Sequence, residues 1–391
     1  MEQREKVGPL SVRAPLSERI PNIEEYFEEF PEIPNLSGNL PRMIEHLRLE
    51  KGRLRPLSLE SAANELPGST NSGLPYFTKK NKVRKTEIER ARAKIVDPNI
   101  LFWRGQSGGI NPEDVKQRDL FGASMAVHIR EAAYMKVYFD KIRSNESFSA
   151  WTTPEGIDRA VHNVLDAAYE RGWVVHSTDF SGFDKSVGPQ LSANSWALYE
   201  YAYQNQFTDE IRELQYIFHN VGLILSNELA FEGEHGVGSG SVNTNLIDTE
   251  VHLDAQFHVC DKLEVERFRG NQVQGDDGLL ILPPSIKVEE MHDGYAELNL
   301  DSNPDKAFMG DDDCLYLQKY YKRGIQGGMY PTYRALNSLL GQERFHDEEK
   351  WGPDMVTLRA IQILEWTKHH PLFTELVRFC LLYTSPSPRD S

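Results

Sequence analysis

The sequence predicts an α+β fold, and three stretches carry that prediction. Trp173-Val174-Val175-His176-Ser177-Thr178-Asp179 reads as a short buried strand ending in a carboxylate. Val273 to Leu282 reads as an apolar hairpin around Asp276-Asp277, with Gly275 and Gly278 on either side to tolerate positive φ. Between them, Val242, Leu246, Leu253 and Phe257 recur at helical spacing. Strands interleaved with helices in this way make an α+β unit.

The other elements follow in order. Residues 1–75 are rich in Pro, Glu and Leu with broken patterning, and predict an extended arm with short helices. A mainly helical, charged region is expected to about Tyr138. Pro189 to Tyr203 predicts a helix through Leu191, Trp196, Leu198 and Tyr199, and residues 211–231 another helix and a short apolar stretch. Gly236-Val237-Gly238-Ser239-Gly240-Ser241 is a glycine-rich loop opening the Val242–Phe257 helix. A second hairpin is expected from Cys314 to Tyr321, and a helical pattern from Asp354 to Phe379. There is no repeat at solenoid periods.

Composition narrows the class. Of 391 residues, 39% are apolar and 26% charged, which excludes a disordered or fibrous chain. No run approaches the roughly 18 apolar residues of a membrane span, and Met1 to Lys6 is not followed by a secretory apolar core. Cys260, Cys314 and Cys380 give neither a disulfide framework nor a CxxC pair, so a reduced, intracellular protein is expected. A net charge of -16 argues, taken alone, against a nucleic-acid partner. It hides a basic stretch: Lys79, Lys80, Lys82, Arg84, Lys85, Arg90, Arg92, Lys94 and Arg104. Such a run is ordinarily a solvated helix face, so a case for phosphate contact has to come from elsewhere.

It comes from the acidic residues. Asp179 and the Asp276-Asp277 pair sit at a strand end and a hairpin tip. Clustered carboxylates repel, so their pKa values rise or they need cations. Oxygen donors suit Mg²⁺ or Mn²⁺, and two such ions about 3.5–4 Å apart serve phosphoryl transfer. Asp311-Asp312-Asp313 has no apolar strand before it and reads as a turn. Asp184 lies five residues after Asp179, while Thr244 and Asp248 share one helix face behind Ser239-Gly240. Glycines at a helix start let backbone N–H groups approach a phosphate or a templating strand.

In this order the motifs resemble those of viral RNA-dependent RNA polymerases, most closely those of picobirnaviruses. Asp179 to Asp184 resembles motif A, Ser239-Gly240 to Asp248 motif B, and Gly275-Asp276-Asp277 motif C. Asn303-Pro304-Asp305-Lys306 resembles motif D, and Leu315 to Tyr320 motif E. Arg104 to Gly109 with Lys116 to Asp119 resembles motif F, and Ser72-Gly73-Leu74-Pro75 motif G. Tyr330 to Asn337 and Thr357 to Glu365 resemble picobirnavirus segments, so the likeness covers about residues 70–379.

The resemblance implies a right-hand polymerase with a ferredoxin-like antiparallel palm sheet. The parts would be an N-terminal arm (1–70), fingers (71–171), palm with motif A (172–190), a fingers insertion (191–232), palm with motifs B to E (233–322) and a partial thumb (323–379). The implied activity is template-directed RNA synthesis from ribonucleoside triphosphates, replicating and transcribing a double-stranded RNA virus genome. Asp179 and Asp276 would bind two Mg²⁺ or Mn²⁺ ions with Asp277 assisting, and Lys306 would protonate the leaving pyrophosphate. Arg118, Lys116 and Arg104 would hold the triphosphate, and Asp184, Ser239, Gly240, Thr244 and Asp248 the nucleotide and its ribose hydroxyls. Ser72, Gly73, Leu315 and Lys319 would contact RNA. Asp248 replaces the Asn of picornavirus-like enzymes and fits the double-stranded RNA virus pattern. The implied partners are template and product RNA, nucleotides and a capsid protein, with no membrane anchor, in a virion interior or host cytoplasm. The acidic total is compatible with this, because positive potential is needed only along the channels.

Two alternatives stay open on sequence. A reverse transcriptase shares the palm, but usually has an aromatic where Asp184 stands. A non-catalytic RNA-binding fragment would keep the motifs without synthesis. Nucleotide incorporation, and rNTPs against dNTPs, separate the three. His252 and His258 lack ligand spacing and are expected to be packed or solvated. Residues 380–391, Cys-Leu-Leu-Tyr-Thr-Ser-Pro-Ser-Pro-Arg-Asp-Ser, match the translation of a transposase-type sequencing adapter. They are expected to be a non-native tail hanging off the surface, with the native chain cut inside the thumb.

Overall fold

A computed structural model describes residues 13–105, 117–302, 307–341 and 351–384. The arm carries α1 (Leu16–Glu24), α2 (Leu40–Leu47) and α3 (Leu59–Glu65), joined by 3₁₀ turns and extended chain. Ser58 caps α3 by accepting from the Ser61 N–H, and α2 stops where Arg48 turns left-handed. The basic stretch forms α4 (Lys80–Arg92). The chain then makes β1 (Asn99–Arg104), β2 (Arg118–Gly122) and the largely buried α5 (Met125–Ile142). α6 (Pro154–Arg171) begins with a Thr153 cap and Pro154 and ends at Gly172, φ 64°.

β3 (Val174–Thr178) is buried along its whole length and leads into α7 (Phe183–Ser186). Helices α8 (Ala193–Ala202) and α9 (Thr208–Asn220) and strands β4 (Leu223–Ile224) and β5 (Ala230–Phe231) precede the long α10 (Thr244–Lys262). Then come β6 (Gln272–Gln274), β7 (Asp277–Leu282), α11 (Val288–Ala296), β8 (Phe308–Gly310), β9 (Asp313–Tyr316) and β10 (Lys319–Lys322). Helices α12 (Thr332–Leu340), α13 (Pro353–Thr367) and α14 (Phe373–Thr384) close the described chain.

The central sheet has the order β6-β7-β3-β8 and is antiparallel throughout. β7 alternates between two cores. Leu280 and Leu282 join the main core with α5, α8 and α10, while Leu279 and Ile281 pack with Val161, Val164 and Leu165 of α6. That double burial explains the unbroken apolar run from Leu279 to Leu282. A second sheet, β2-β1-β4-β5, lies beside it in the chain order, and β9-β10 form a separate hairpin.

The α+β prediction holds, as do the β3 strand, the two hairpins and α10. Three expectations are corrected. The region before Tyr138 is not mainly helical: Ile100 to Trp103 form β1, whose partner β2 is thirteen residues or more away in sequence and left no hairpin signal. The helix from Asp354 is two helices, interrupted around Pro371, which has no N–H to give to a helical hydrogen bond. The helix also does not end at Phe379. It runs to Thr384, and Cys380 is buried against Leu339 and Ala360, while Leu381 and Leu382 are exposed as expected of a tail on the surface. Residues 385–391 lie outside the described residues.

Candidate active site

The sheet register builds the centre. Thr178 pairs with Gly278, and Gln274 with Asp277. Asp179 therefore leaves β3 beside the point where Asp277 opens β7. Gly275 and Asp276 form the two-residue loop between β6 and β7. Gly275 has φ 57°, a conformation that such loops demand and glycine adopts without strain. The predicted Asp-Asp tip is thus a Gly-Asp tip, with Asp276 exposed and Asp277 already in the strand.

Asp184 on α7 and Asp248 on α10 face the same charge. Burial, followed by repulsion from Asp276, raises the Asp184 carboxyl to about 6, and Arg118 partly offsets the rise. Burial pushes Asp248 well above the usual carboxylate range, with repulsion from Asp184 and Asp276 adding to it. Asp248 Oδ1 is buried and has no hydrogen-bond partner among the described residues. The donor set is oxygen only, as hard divalent ions prefer, and it carries repulsion that a cation would relieve. Among the described residues, however, no three His, Cys, Asp or Glu side chains are drawn together into a ready-made ion cage. The expected convergence of Asp179, Asp276 and Asp277 is therefore a convergence of backbone positions.

Arg118 and Arg104 are exposed and lie directly opposite each other on β2 and β1. Next to Arg118, Asp119 is buried and pairs with Arg19 of α1, while Asn22 donates to its other oxygen at 3.0 Å. Lys185, one residue past Asp184, donates to Asn22 and Glu25. The arm thus ties β2 to the segment carrying Asp184. Sequence reasoning missed Arg19 and Asn22, because no local pattern links residues 100 positions apart.

The glycine-rich loop packs differently from the expectation that its glycines admit a phosphate or template. A Cβ on Gly240 would lie 1.4 Å from the Phe121 carbonyl oxygen, and one on Gly238 2.8 Å from the Phe121 ring. These glycines let the loop press against β2. Ser239 Oγ donates to the Asp119 carbonyl at 3.4 Å, and Thr244 Oγ1 to the Gly238 carbonyl at 2.8 Å. Glu131 of α5, also missed, holds the loop from beneath: Ser241 Oγ donates to it at 2.6 Å and the Val242 N–H at 3.1 Å.

Other sequence-predicted residues fall as follows. Ser72 is fully buried; its Oγ accepts from the Thr78 N–H, and its carbonyl from the Met125 N–H. This corrects the expectation of RNA contact by its side chain: Ser72 shapes a turn. Gly73, φ 65°, lets that turn approach the Ala123 carbonyl, which a Cβ would meet at 2.5 Å. Leu315 and Lys319 are half-buried on the β9-β10 hairpin, which is tied to β3 by the Leu315 N–H donating to Ser177 Oγ at 2.9 Å. His258 pairs with Glu297 at 2.9 Å on the surface, and His252 is packed in the interior. Lys116 and Lys306 lie outside the described residues. No helix among those described is long and apolar enough to cross a membrane.

Over nearly its whole length the chain is similar to known proteins. The family model described as viral RNA-dependent RNA polymerase matches residues 44–387. A potential RNA-dependent RNA polymerase of human picobirnavirus (strain Human/Thailand/Hy005102/-) is 33% identical over 407 residues, covering 97% of this chain and 74% of the relative. The crystal structure of the RNA-dependent RNA polymerase of a human picobirnavirus superposes with a TM-score of 0.87 at 30% identity, covering 97% of this chain and 76% of that one. An insertion-loop deletion mutant of a human picobirnavirus polymerase gives 0.86 at 30% identity, covering 97% and 78%.

Proposed function

The chain belongs to the viral RNA-dependent RNA polymerase family, and from that premise we propose that it copies RNA by two-metal phosphoryl transfer for a double-stranded RNA virus genome. RNA synthesis itself is the activity of the family. The observation that supports the finer reading is the β3-β7 register, which sets Asp179 beside Asp276 and Asp277 while Asp184 and Asp248 feel the charge of Asp276.

Asp179 and Asp276 would hold two Mg²⁺ or Mn²⁺ ions, with Asp277 assisting. Bound ions supply activation of the attacking 3′ oxygen and charge stabilisation on the leaving pyrophosphate. The chain's own residues do the rest. Arg118 and Arg104 present guanidinium groups to the triphosphate, and Lys306 and Lys116 are proposed to serve the leaving group and the phosphates. Asp184 accepts the ribose 2′-OH. Asp248, whose carboxyl burial and the nearby carboxylates push upward, stands beside Asp184 as the second group proposed to face the sugar. Ser239 and Thr244 act through the loop backbone they hold. The hairpin bearing Leu315 and Lys319 is proposed to support product RNA. A capsid protein is the proposed structural partner, and the virion interior or host cytoplasm the proposed setting.

The test is template-directed incorporation of labelled ribonucleotides. The unsubstituted chain incorporates, and Asp276→Asn does not while keeping its fold. An Asp276→Asn variant with native incorporation overturns the two-metal reading.

A further inference from the structure

We propose that a polar stripe on α10 (Asn245, Thr249, His252 and Gln256) is the brace that fixes the catalytic turn, and that His252 is its central positioning residue. The proposal rests on the reading that Asp179 and Asp276 carry the reaction.

The four residues follow spacings of four, three and four, so they share one face of the helix. Thr249, His252 and Gln256 are buried, where an unsatisfied polar group is costly, and Asn245 lies at the exposed start of the helix. Each of the four spends its polarity on the β6-β7 hairpin. Asn245 Oδ1 accepts from Gln274 at 2.9 Å. Thr249 Oγ1 accepts from the Gly275 N–H at 2.9 Å. His252 Nδ1 lies 2.8 Å from the Gly275 carbonyl. Gln256 donates to the carbonyls of Gln272 and Leu279, both at 3.3 Å.

Gly275 is therefore captured at both of its backbone polar groups, immediately before Asp276. A carbonyl only accepts, so Nδ1 of His252 carries the proton and Nε2 is left as an acceptor. Nε2 faces Thr178 Oγ1 at 3.4 Å, the last residue of β3 before Asp179. One neutral imidazole thus spans both strand ends that present the carboxylates. Space for the ring is reserved by Gly278, where a Cβ would meet His252 Cε1 at 2.4 Å. The ring is steadied edge-on by Phe180, centroids 5.1 Å apart. Outer groups that orient reacting ones typically matter about 10–100-fold.

The experiment compares His252→Phe, which keeps the ring and removes both nitrogens, with His252→Asn, whose amide N–H stands in for Nδ1–H. Thr249→Val removes the other capture point. Hydrogen exchange across Gln274–Gly278 is measured without nucleotide or metal, alongside single-nucleotide incorporation. In His252→Phe the turn should exchange about tenfold faster, and kcat should fall about 10–100-fold with the nucleotide KM within about threefold. His252→Asn should recover most of both, and Thr249→Val should loosen the same amides. If His252→Phe does not fold, His252→Asn and Thr249→Val carry the comparison. Exchange and kcat within twofold of the unsubstituted chain in His252→Phe overturn the proposal, as does equal impairment of the Phe and Asn variants. Faster exchange in a chain that incorporates no nucleotide even unsubstituted leaves the brace standing and overturns the polymerase reading instead.

Discussion

Arg104 and Arg118 are direct cross-strand partners at the open end of the β1-β2 pair, and both are exposed. Like charges directly opposite each other destabilise a strand pair. An anion between them reverses the sign of the arrangement, and a triphosphate is such an anion. Arg118→Gln should leave a cooperatively melting fold, because the side chain it replaces is exposed. It should raise the nucleotide KM and also lower kcat, because charge grows on the leaving phosphate. Calorimetry and steady-state incorporation read the two effects separately. Loss of template binding with nucleotide KM unchanged would move Arg118 to the RNA path.

Asp184 gives a pH prediction with a definite sign. Its folded pKa, about 6, lies above that of an unfolded Asp, so the folded chain holds the proton longer. Stability from this group is full below about pH 4 and is lost as pH rises through 6. Asp184→Asn should thus stabilise the chain at pH 7, by on the order of 2 kcal/mol, and not at pH 4. Urea midpoints at the two values test this. Asp184→Ala should also narrow discrimination between rNTPs and dNTPs, since it cannot accept the 2′-OH. An unchanged ratio would mean that other residues read the sugar.

Much of the centre was legible because its signals are local. Val174 to Thr178 is followed directly by Asp179, Leu279 to Leu282 is an apolar run preceded by Asp276-Asp277-Gly278, and Gly275 marks the tight loop between strands. What escaped depends on distant partners. β1 and β2 pair across a long connection, so Ile100 to Trp103 showed no hairpin signature. Ser72 carries a motif resemblance, yet its burial is set by Thr78 and Met125. Gly238 and Gly240 looked like ligand-facing glycines, and only the position of Phe121 reveals their packing reason.

Arg19 and Asp119 form one of those distant partnerships, with side chains 6% and 1% exposed. Removing one member of a buried pair leaves an uncompensated charge. Arg19→Ala should destabilise the chain by about 3–5 kcal/mol. Arg19→Ala with Asp119→Ala should cost less than the sum of the two, which a double-mutant cycle would show. Additive losses would mean that the pair is not coupled.

Glu131 makes the loop before α10 dependent on α5. Burial raises its carboxyl, and the bonds from Ser241 and the Val242 N–H pull against that rise. Burial lowers the Lys80 ammonium, and the Glu131 charge works against that fall. Three groups thus rely on one carboxylate. Glu131→Gln keeps the shape: its carbonyl can accept from the Val242 N–H and its amide can donate to Ser241 Oγ, so what it removes is the charge beside Lys80. An unpaired buried donor costs about 1–3 kcal/mol. Glu131→Ala strands both donors and leaves Lys80 without its countercharge, so it should cost more than Glu131→Gln. Ser241→Ala removes two bonds, the one to Glu131 and the one from the Asn243 N–H, but leaves the Val242 N–H paired and the charge beside Lys80 in place. Denaturant midpoints for Ser241→Ala and Glu131→Gln that both lie above that of Glu131→Ala are the expected result. Equal midpoints for all three would show that the loop holds its place by the packing of Gly238 and Gly240 on Phe121 alone.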